Sequence, residues 1–272
     1  MVPNGIRVNW AAGKPVINGW LSMASSFGAE IMAGQGYDAL TVDLQHGFVG
    51  YESATGMLQA MRASGVTPMV RVPWLDPGDI MKALDAGAYG IICPMINTPE
   101  EAARFVSYMR YPPDGQRSFG PTRVNFSAGG DYGQHANKEV LALAMIETAE
   151  AFANLEAIVT TPGLDGVYIG PADLTLGLTN GRLPAGFDRE EPEMVDAIKR
   201  ILAAAHKAGI RAALHCGGPA YAAKAIGWGF DLVTLSNDVR LLAGAAQASV
   251  SDVRKLLGGQ GAPAASKSSS SY

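Results

Sequence analysis

Glu147 follows the apolar run Leu141–Ile146, and Asp173 follows the run Gly166–Gly170. Two carboxylates side by side, with no thiol beside them, make a hard oxygen site. Such a site suits Mg²⁺ or Mn²⁺ and leaves several positions on the ion to water. Taken alone, each carboxylate reads as a solvated strand end or a helix cap; taken together in a charge-poor chain, they read as a metal pair. Arg71 lies near the end of another apolar run, Pro68–Val72, where a charge needs a partner. That partner is either a nearby carboxylate or the carboxylate or developing oxyanion of a substrate, and the same guanidinium fork serves both. Asp43 and His46 stand three residues apart in Val42-Asp43-Leu44-Gln45-His46-Gly47. A carboxylate so placed can orient an imidazole whose other nitrogen acts as a base, or it can simply make a structural hydrogen bond. His215 and Cys216 read as a packed histidine and a buried thiol. Gly217-Gly218 ahead of a helix is a weak phosphate signal.

These residues need a scaffold that brings distant positions to one rim. Eight short apolar runs read as strands: Pro15–Gly19, Ala39–Asp43, Pro68–Val72, Gly90–Cys93, Leu141–Ile146, Gly166–Gly170, Ala212–His215 and Leu232–Ser236. Helical patterns separate them, among them Tyr51–Ser64, Asp79–Asp85, Pro99–Met109, Glu193–Ala208 and Pro219–Trp228. This alternation predicts an α/β fold, a single (β/α)8 TIM barrel over residues 1–257, with the chemistry at the C-terminal ends of the strands. An open doubly wound sheet is the second choice. It usually carries G-x-G-x-x-G after its first strand, and that pattern is missing. Two segments break the alternation. Tyr111–Gly133 is rich in Gly, Pro and Arg and reads as an irregular loop beside the site. Its Arg117 and Arg123 would meet a distal substrate carboxylate or, as preferred here, hold the loop through ion pairs. Residues 258–272 read as a disordered tail outside the fold.

Composition narrows the function. The net charge of −4 and the absence of any basic block argue against nucleic-acid binding. No apolar stretch is long enough to span a membrane, and the first ten residues lack a signal-peptide core, so the expected location is the cytoplasm. Two cysteines cannot form a disulfide framework or a four-thiolate zinc site. Charged residues make up only 17%, against the roughly 25% usual for soluble domains, which suggests surface hidden in an oligomer. No lysine falls in or just beyond a candidate strand, so a Schiff-base mechanism is not expected.

The ordered set of motifs resembles the HpcH/HpaI aldolase family of metal-dependent class II pyruvate aldolases. The motifs are Val42-Asp43-x-x-His46-Gly47, Val70-Arg71-Val72-Pro73, Leu84-Asp85-x-Gly87-Ala88-x-Gly90-Ile91, Pro94-Met95, Tyr111-Pro112-Pro113-x-Gly115-x-Arg117-Ser118-x-Gly120-Pro121, Ile146-Glu147-Thr148 and Ile169-Gly170-Pro171-x-Asp173-Leu174. The resemblance implies Glu147 and Asp173 as ligands of Mg²⁺, Mn²⁺ or Co²⁺. It implies that Arg71 binds the keto oxygen of pyruvate, and that His46, oriented by Asp43, handles protons through a water. The backbone of Gly170, Pro171, Ala172 and Asp173 would hold the pyruvate carboxylate, and Asp85 would reach the site mouth from a neighbouring subunit. It further implies a homo-oligomer, typically a hexamer, that exchanges C-terminal helices. The implied reaction is reversible cleavage of 4-hydroxy-2-oxo acids to pyruvate and an aldehyde, with oxaloacetate decarboxylation as a side activity. Met145 stands where the family often has Gln, and Gln45 where many members have Glu. Met removes possible hydrogen bonds from the pocket without touching the metal ligands. The alternatives are an acyl-CoA lyase of the citrate lyase β type, which would need a basic site for the CoA phosphates, and a non-catalytic barrel.

Overall fold

The computed structural model describes residues 1–257; the expected tail at 258–272 lies outside the described residues. Eight parallel strands close a barrel in chain order. They are β1 (Val16–Leu21), β2 (Ala39–Asp43), β3 (Thr67–Arg71), β4 (Gly90–Cys93), β5 (Leu141–Ile146), β6 (Gly166–Ile169), β7 (Arg211–Cys216) and β8 (Leu232–Leu235). β8 pairs with β1 to complete the ring, with Val16 opposite Leu232. The strands are apolar nearly throughout because both faces are covered. One face packs under the helices, where Leu40, Val42, Val70 and Ile91 join the large outer cluster. The other fills the barrel with a separate cluster that includes Met69, Ile92, Leu143, Met145 and Tyr168.

The helices begin where local chemistry lets them. Asp76 accepts hydrogen bonds from the backbone of Gly78 and Asp79 to start Pro77–Asp85. Thr98 and Glu101 form a reciprocal capping box for Pro99–Met109, again with Pro in the first turn. The helix Gly5–Ala11 adds Ile6 and Trp10 to the cluster within the barrel. Among the described residues no helix is long and apolar enough to cross a membrane.

Two expectations need correction. Strand ends shift by one or two residues: β1 runs on to Leu21 because Trp20 and Leu21 pair with Thr41 and Val42, while β6 stops at Ile169 because Pro171 starts the helix Pro171–Thr179. The segment 111–133 is also less irregular than expected. It contains the short helix Val124–Ala128, which buries its i and i+4 residues, and the start of Tyr132–Glu139. The final helix, Asp238–Leu256, buries only Asp238 and exposes Leu242, Val253 and Leu256.

Candidate active site

A cavity of about 220 Å³ opens at the C-terminal ends of the strands, where the barrel argument places it. Asp43, His46, Arg71, Glu147, Gly170 and Ala172 all line it. Their sequence positions are far apart, and the barrel register brings them together.

Asp43 ends β2 directly opposite Arg71, which ends β3. Arg71 Nε donates to Asp43 Oδ1 at 2.8 Å and Nη2 donates to Oδ2 at 2.7 Å. Both residues are buried. Trp20 adds a third donor, its Nε1 to Oδ2 at 3.2 Å, while the Arg71 guanidinium lies 4.8 Å from the Trp20 ring centroid. Burial alone would push the Asp43 carboxyl up; the bonds and charge of Arg71, with the Trp20 bond, hold it below the usual range. The sequence reading paired Asp43 with the ring of His46, but both carboxylate oxygens are engaged by Arg71. Asp43 meets His46 at the backbone, accepting N–H bonds from Gln45 at 3.1 Å and His46 at 3.4 Å. It thus fixes Arg71 and the turn that carries His46. Burial and the Arg71 charge hold the His46 imidazole below its ordinary pKa, although the charges of Asp43 and Asp173 pull the other way. A neutral imidazole can accept a proton.

Glu147 follows β5 and is 3% exposed. Its Oε1 accepts the backbone N–H of Met95 at 2.8 Å. Met95 has a positive φ of 56°, an uncommon conformation for a residue of this type. Its side-chain identity does not announce this role. Burial pushes the Glu147 carboxyl up to about 7, and the nearby charge of Asp173 adds to the rise, while the Met95 bond and Arg71 oppose it. No Lys or Arg among the described residues lies within ion-pair distance of Glu147. Gly170 makes room for it: a Cβ there would lie 2.6 Å from Glu147 Oε2. Asp173 sits in the first turn of Pro171–Thr179, half-buried. A buried carboxylate without an ion pair and a second carboxylate close enough to raise its pKa are hard oxygen donors that fit a divalent cation such as Mg²⁺ or Mn²⁺. Among the described residues no group of three or more His, Cys, Asp or Glu is placed so that it could hold a metal ion together, so such an ion would complete its shell with water and substrate.

Other candidates lie elsewhere. Asp85 does not line the cavity; it accepts from Arg117 Nη2 at 2.6 Å, and Arg117 Nη1 donates to Tyr132 at 2.9 Å. Arg123 donates to the Ala86 carbonyl. Arg117 therefore holds the 111–133 segment through an ion pair, as preferred from the sequence, whereas Arg123 holds it through a backbone carbonyl instead of an ion pair. The Gly217-Gly218 turn is already supplied with an anion: Gly217 N–H donates to Asp188 Oδ1 at 2.6 Å. His215 is more than a packed residue, because it lines the cavity beside Trp20 and Tyr168. The sequence reading passed over those two aromatics. Their inward alternation on β1 and β6 was the available signal.

The HpcH/HpaI aldolase/citrate lyase family model matches residues 17–244. The chain belongs to this family. It is 43% identical over 253 residues to a hydroxypyruvate/pyruvate aldolase of Rhizorhabdus wittichii, covering 93% of this chain and 100% of that one. It is 34% identical over 248 residues to a 4-hydroxy-2-oxo-heptane-1,7-dioate aldolase of Shigella flexneri, covering 90% and 91%. Among solved structures, an HpcH/HpaI aldolase/citrate lyase family protein from Burkholderia cenocepacia superposes with a TM-score of 0.84 at 33% identity, covering 92% and 99%. This HpcH/HpaI chain is accordingly a carbon–carbon lyase on a TIM barrel.

Proposed function

We propose that this enzyme cleaves 4-hydroxy-2-oxo acids reversibly to pyruvate and an aldehyde, with Mg²⁺, Mn²⁺ or Co²⁺ held by Glu147 and Asp173. The supporting observation is a single cavity that gathers the buried Glu147, the Asp43-braced Arg71 and the neutral His46. The two aldolase names among the relatives agree with that class of reaction.

The substrate's 1-carboxylate rests against the backbone of Gly170, Pro171, Ala172 and Asp173, at the start of a nine-residue helix. Arg71 faces the 2-keto oxygen. His46 takes the 4-hydroxyl proton through a water. The C3–C4 bond breaks, its electron pair becomes the C2–C3 double bond of the enolate, and C4 leaves as the aldehyde carbonyl. Arg71, already oriented by Asp43, meets the charge on the enolate oxygen without reorganising. A bound divalent cation supplies Lewis-acid stabilisation of the same charge. Protonation at C3 releases pyruvate. Loss of CO2 from oxaloacetate reaches the same enolate, so decarboxylation is the expected side activity.

Pyruvate release from a 4-hydroxy-2-oxo acid, followed by coupled lactate dehydrogenase, tests this reading. Borohydride added with pyruvate is expected to leave the protein mass unchanged; a covalent adduct would mean a lysine mechanism instead. Gly170→Ala is expected to weaken binding of the divalent ion about 10–100-fold, because the new methyl crowds Glu147 Oε2. Calorimetric titration of Mn²⁺ measures it, and unchanged affinity would remove Glu147 as a ligand.

The acyl-CoA alternative is not favoured, since the sequence supplies no basic cluster for the CoA phosphates and Asp188 already fills the Gly217-Gly218 turn. A hexamer in which Asp85 serves a neighbouring site remains part of the proposal. It is supported by the exposed Leu242, Val253 and Leu256 on the last helix.

A further inference from the structure

Another cavity, of about 320 Å³, opens at the end of the barrel opposite the active site. Thr67, which starts β3, and Tyr89, just ahead of β4, both line it. Leu58, Met61 and Pro68 give it an apolar wall. Two guanidinium groups complete the lining. Arg62 comes from the turn that follows the helix Tyr51–Ala60, and Arg123 from the start of Val124–Ala128.

The protein does not neutralise these two cations. Among the described residues no carboxylate lies within ion-pair distance of Arg62 or Arg123, whereas Arg7 and Arg110, at the same end of the barrel, both pair with Asp165. Arg62 is exposed at the rim and Arg123 is half-buried. Burial and the charge of Arg62 hold the Arg123 guanidinium below its usual pKa. Among the described residues the Arg123 side chain makes one hydrogen bond, to the Ala86 carbonyl, and a guanidinium carries further donors. Thr67 is 4% exposed, yet its hydroxyl makes no hydrogen bond among the described residues. Gly5, which also lines the cavity, leaves room for it: a Cβ there would lie 2.6 Å from Thr67 Oγ1. A buried hydroxyl without a partner is costly, and such groups in folded proteins usually have one. The cavity thus offers two like charges and an unanswered hydroxyl, with no carboxylate to meet them.

We propose that this cavity binds a small organic carboxylate, with its charge between Arg62 and Arg123, the Thr67 hydroxyl as a further donor, and its carbon body against Leu58, Met61 and Pro68. A carboxylate placed there relieves the repulsion between the two guanidinium groups, and their planar forks supply the paired donors that it takes. The apolar wall favours an acid with a hydrocarbon body over a bare oxyanion, because only the former removes apolar surface from water on both sides. The occupant shares Arg123 with the Ala86 carbonyl, one residue from Asp85. The inference stands whatever reaction the opposite rim performs.

Calorimetric titration of the full chain with butyrate, hexanoate and benzoate tests this, with Mn²⁺ and pyruvate present in excess to occupy the opposite site. At least one of the three is expected to bind saturably, at one site per chain. Arg62→Glu is expected to weaken that binding about tenfold or more, since it removes a charge-assisted bond and adds a repulsion. Arg62→Lys is expected to keep part of the affinity, and Arg71→Lys all of it, because Arg71 belongs to the other end of the barrel. Thr67→Val, which drops only the hydroxyl, is expected to weaken binding about threefold or more and decides the matter if Arg62→Glu fails to fold. Absence of saturable binding by all three acids overturns the proposal, as does affinity within about twofold of wild type in the folded Arg62→Glu protein or, failing that, in Thr67→Val. Inorganic phosphate that binds as tightly as the best of the acids overturns the choice of an organic carboxylate.

Discussion

Arg71→Lys is expected to lower kcat/KM by about 10²–10³-fold, the loss typical of removing a preorganised donor from a developing oxyanion. The geometry explains why a conserved positive charge is not enough. Arg71 uses Nε and Nη2 as a parallel fork on the two Asp43 oxygens, at 2.8 and 2.7 Å. The planar guanidinium is thereby locked in direction, with its carbon 4.8 Å from the Trp20 ring centroid. A lysine ammonium is a point donor on a flexible stem and cannot hold two oxygens in parallel while presenting a fixed donor to a third. Asp43 would lose one of its charged bonds while remaining buried, a cost of about 1–3 kcal/mol. A lower melting temperature should therefore accompany the slower turnover. Steady-state kinetics beside thermal melts separate the two effects. A variant that melts early but turns over near the wild-type rate would reduce Arg71 to a structural partner of Asp43.

Removing the divalent cation is expected to abolish turnover, and Glu147→Gln to lower it by about 10³-fold or more at saturating metal, since oxyanion stabilisation is commonly the largest contribution to such a reaction. The two treatments should part on stability. In the metal-free protein Glu147 is buried without an ion pair, and burial with the Asp173 charge disfavours its ionised form. Glutamine keeps an oxygen for the Met95 N–H, which Glu147 Oε1 accepts at 2.8 Å, and removes the charge. In EDTA the variant should melt at or above the wild-type temperature; with Mn²⁺ present the order should reverse, because only the wild type gains stability from ligand binding. Full activity after exhaustive chelation would end the metal assignment. A variant that melts lower in EDTA would show that the carboxylate is a structural anchor.

Much of this could be read along the chain. β2, β4 and β5 match the expected strands because each is a run of apolar residues covered on both faces, and flanking turns mark its limits. Arg71 and Glu147 stood out because a charge at the end of such a run must be answered by something. The limits of β1 and β6 were less legible, since strand ends depend on the neighbour they pair with rather than on their own residues. The helix inside 111–133 was hidden by the Gly, Pro and Arg around it.

The sequence by itself determined the barrel, the rim on which chemistry sits and the types of group available there, because periodicity and charge burial are local properties. Which group answers which was decided by tertiary structure. Asp43 braces Arg71 because the parallel register of β2 on β3 sets those two residues, 28 apart, directly opposite each other. His215 joins the site because β7 pairs with β6 and β8 so that its ring lies beside Tyr168, whose hydroxyl is 2.9 Å from Nδ1, and beside Trp20 of β1. Pairing across strands follows from register and closure, and no residue carries that information alone.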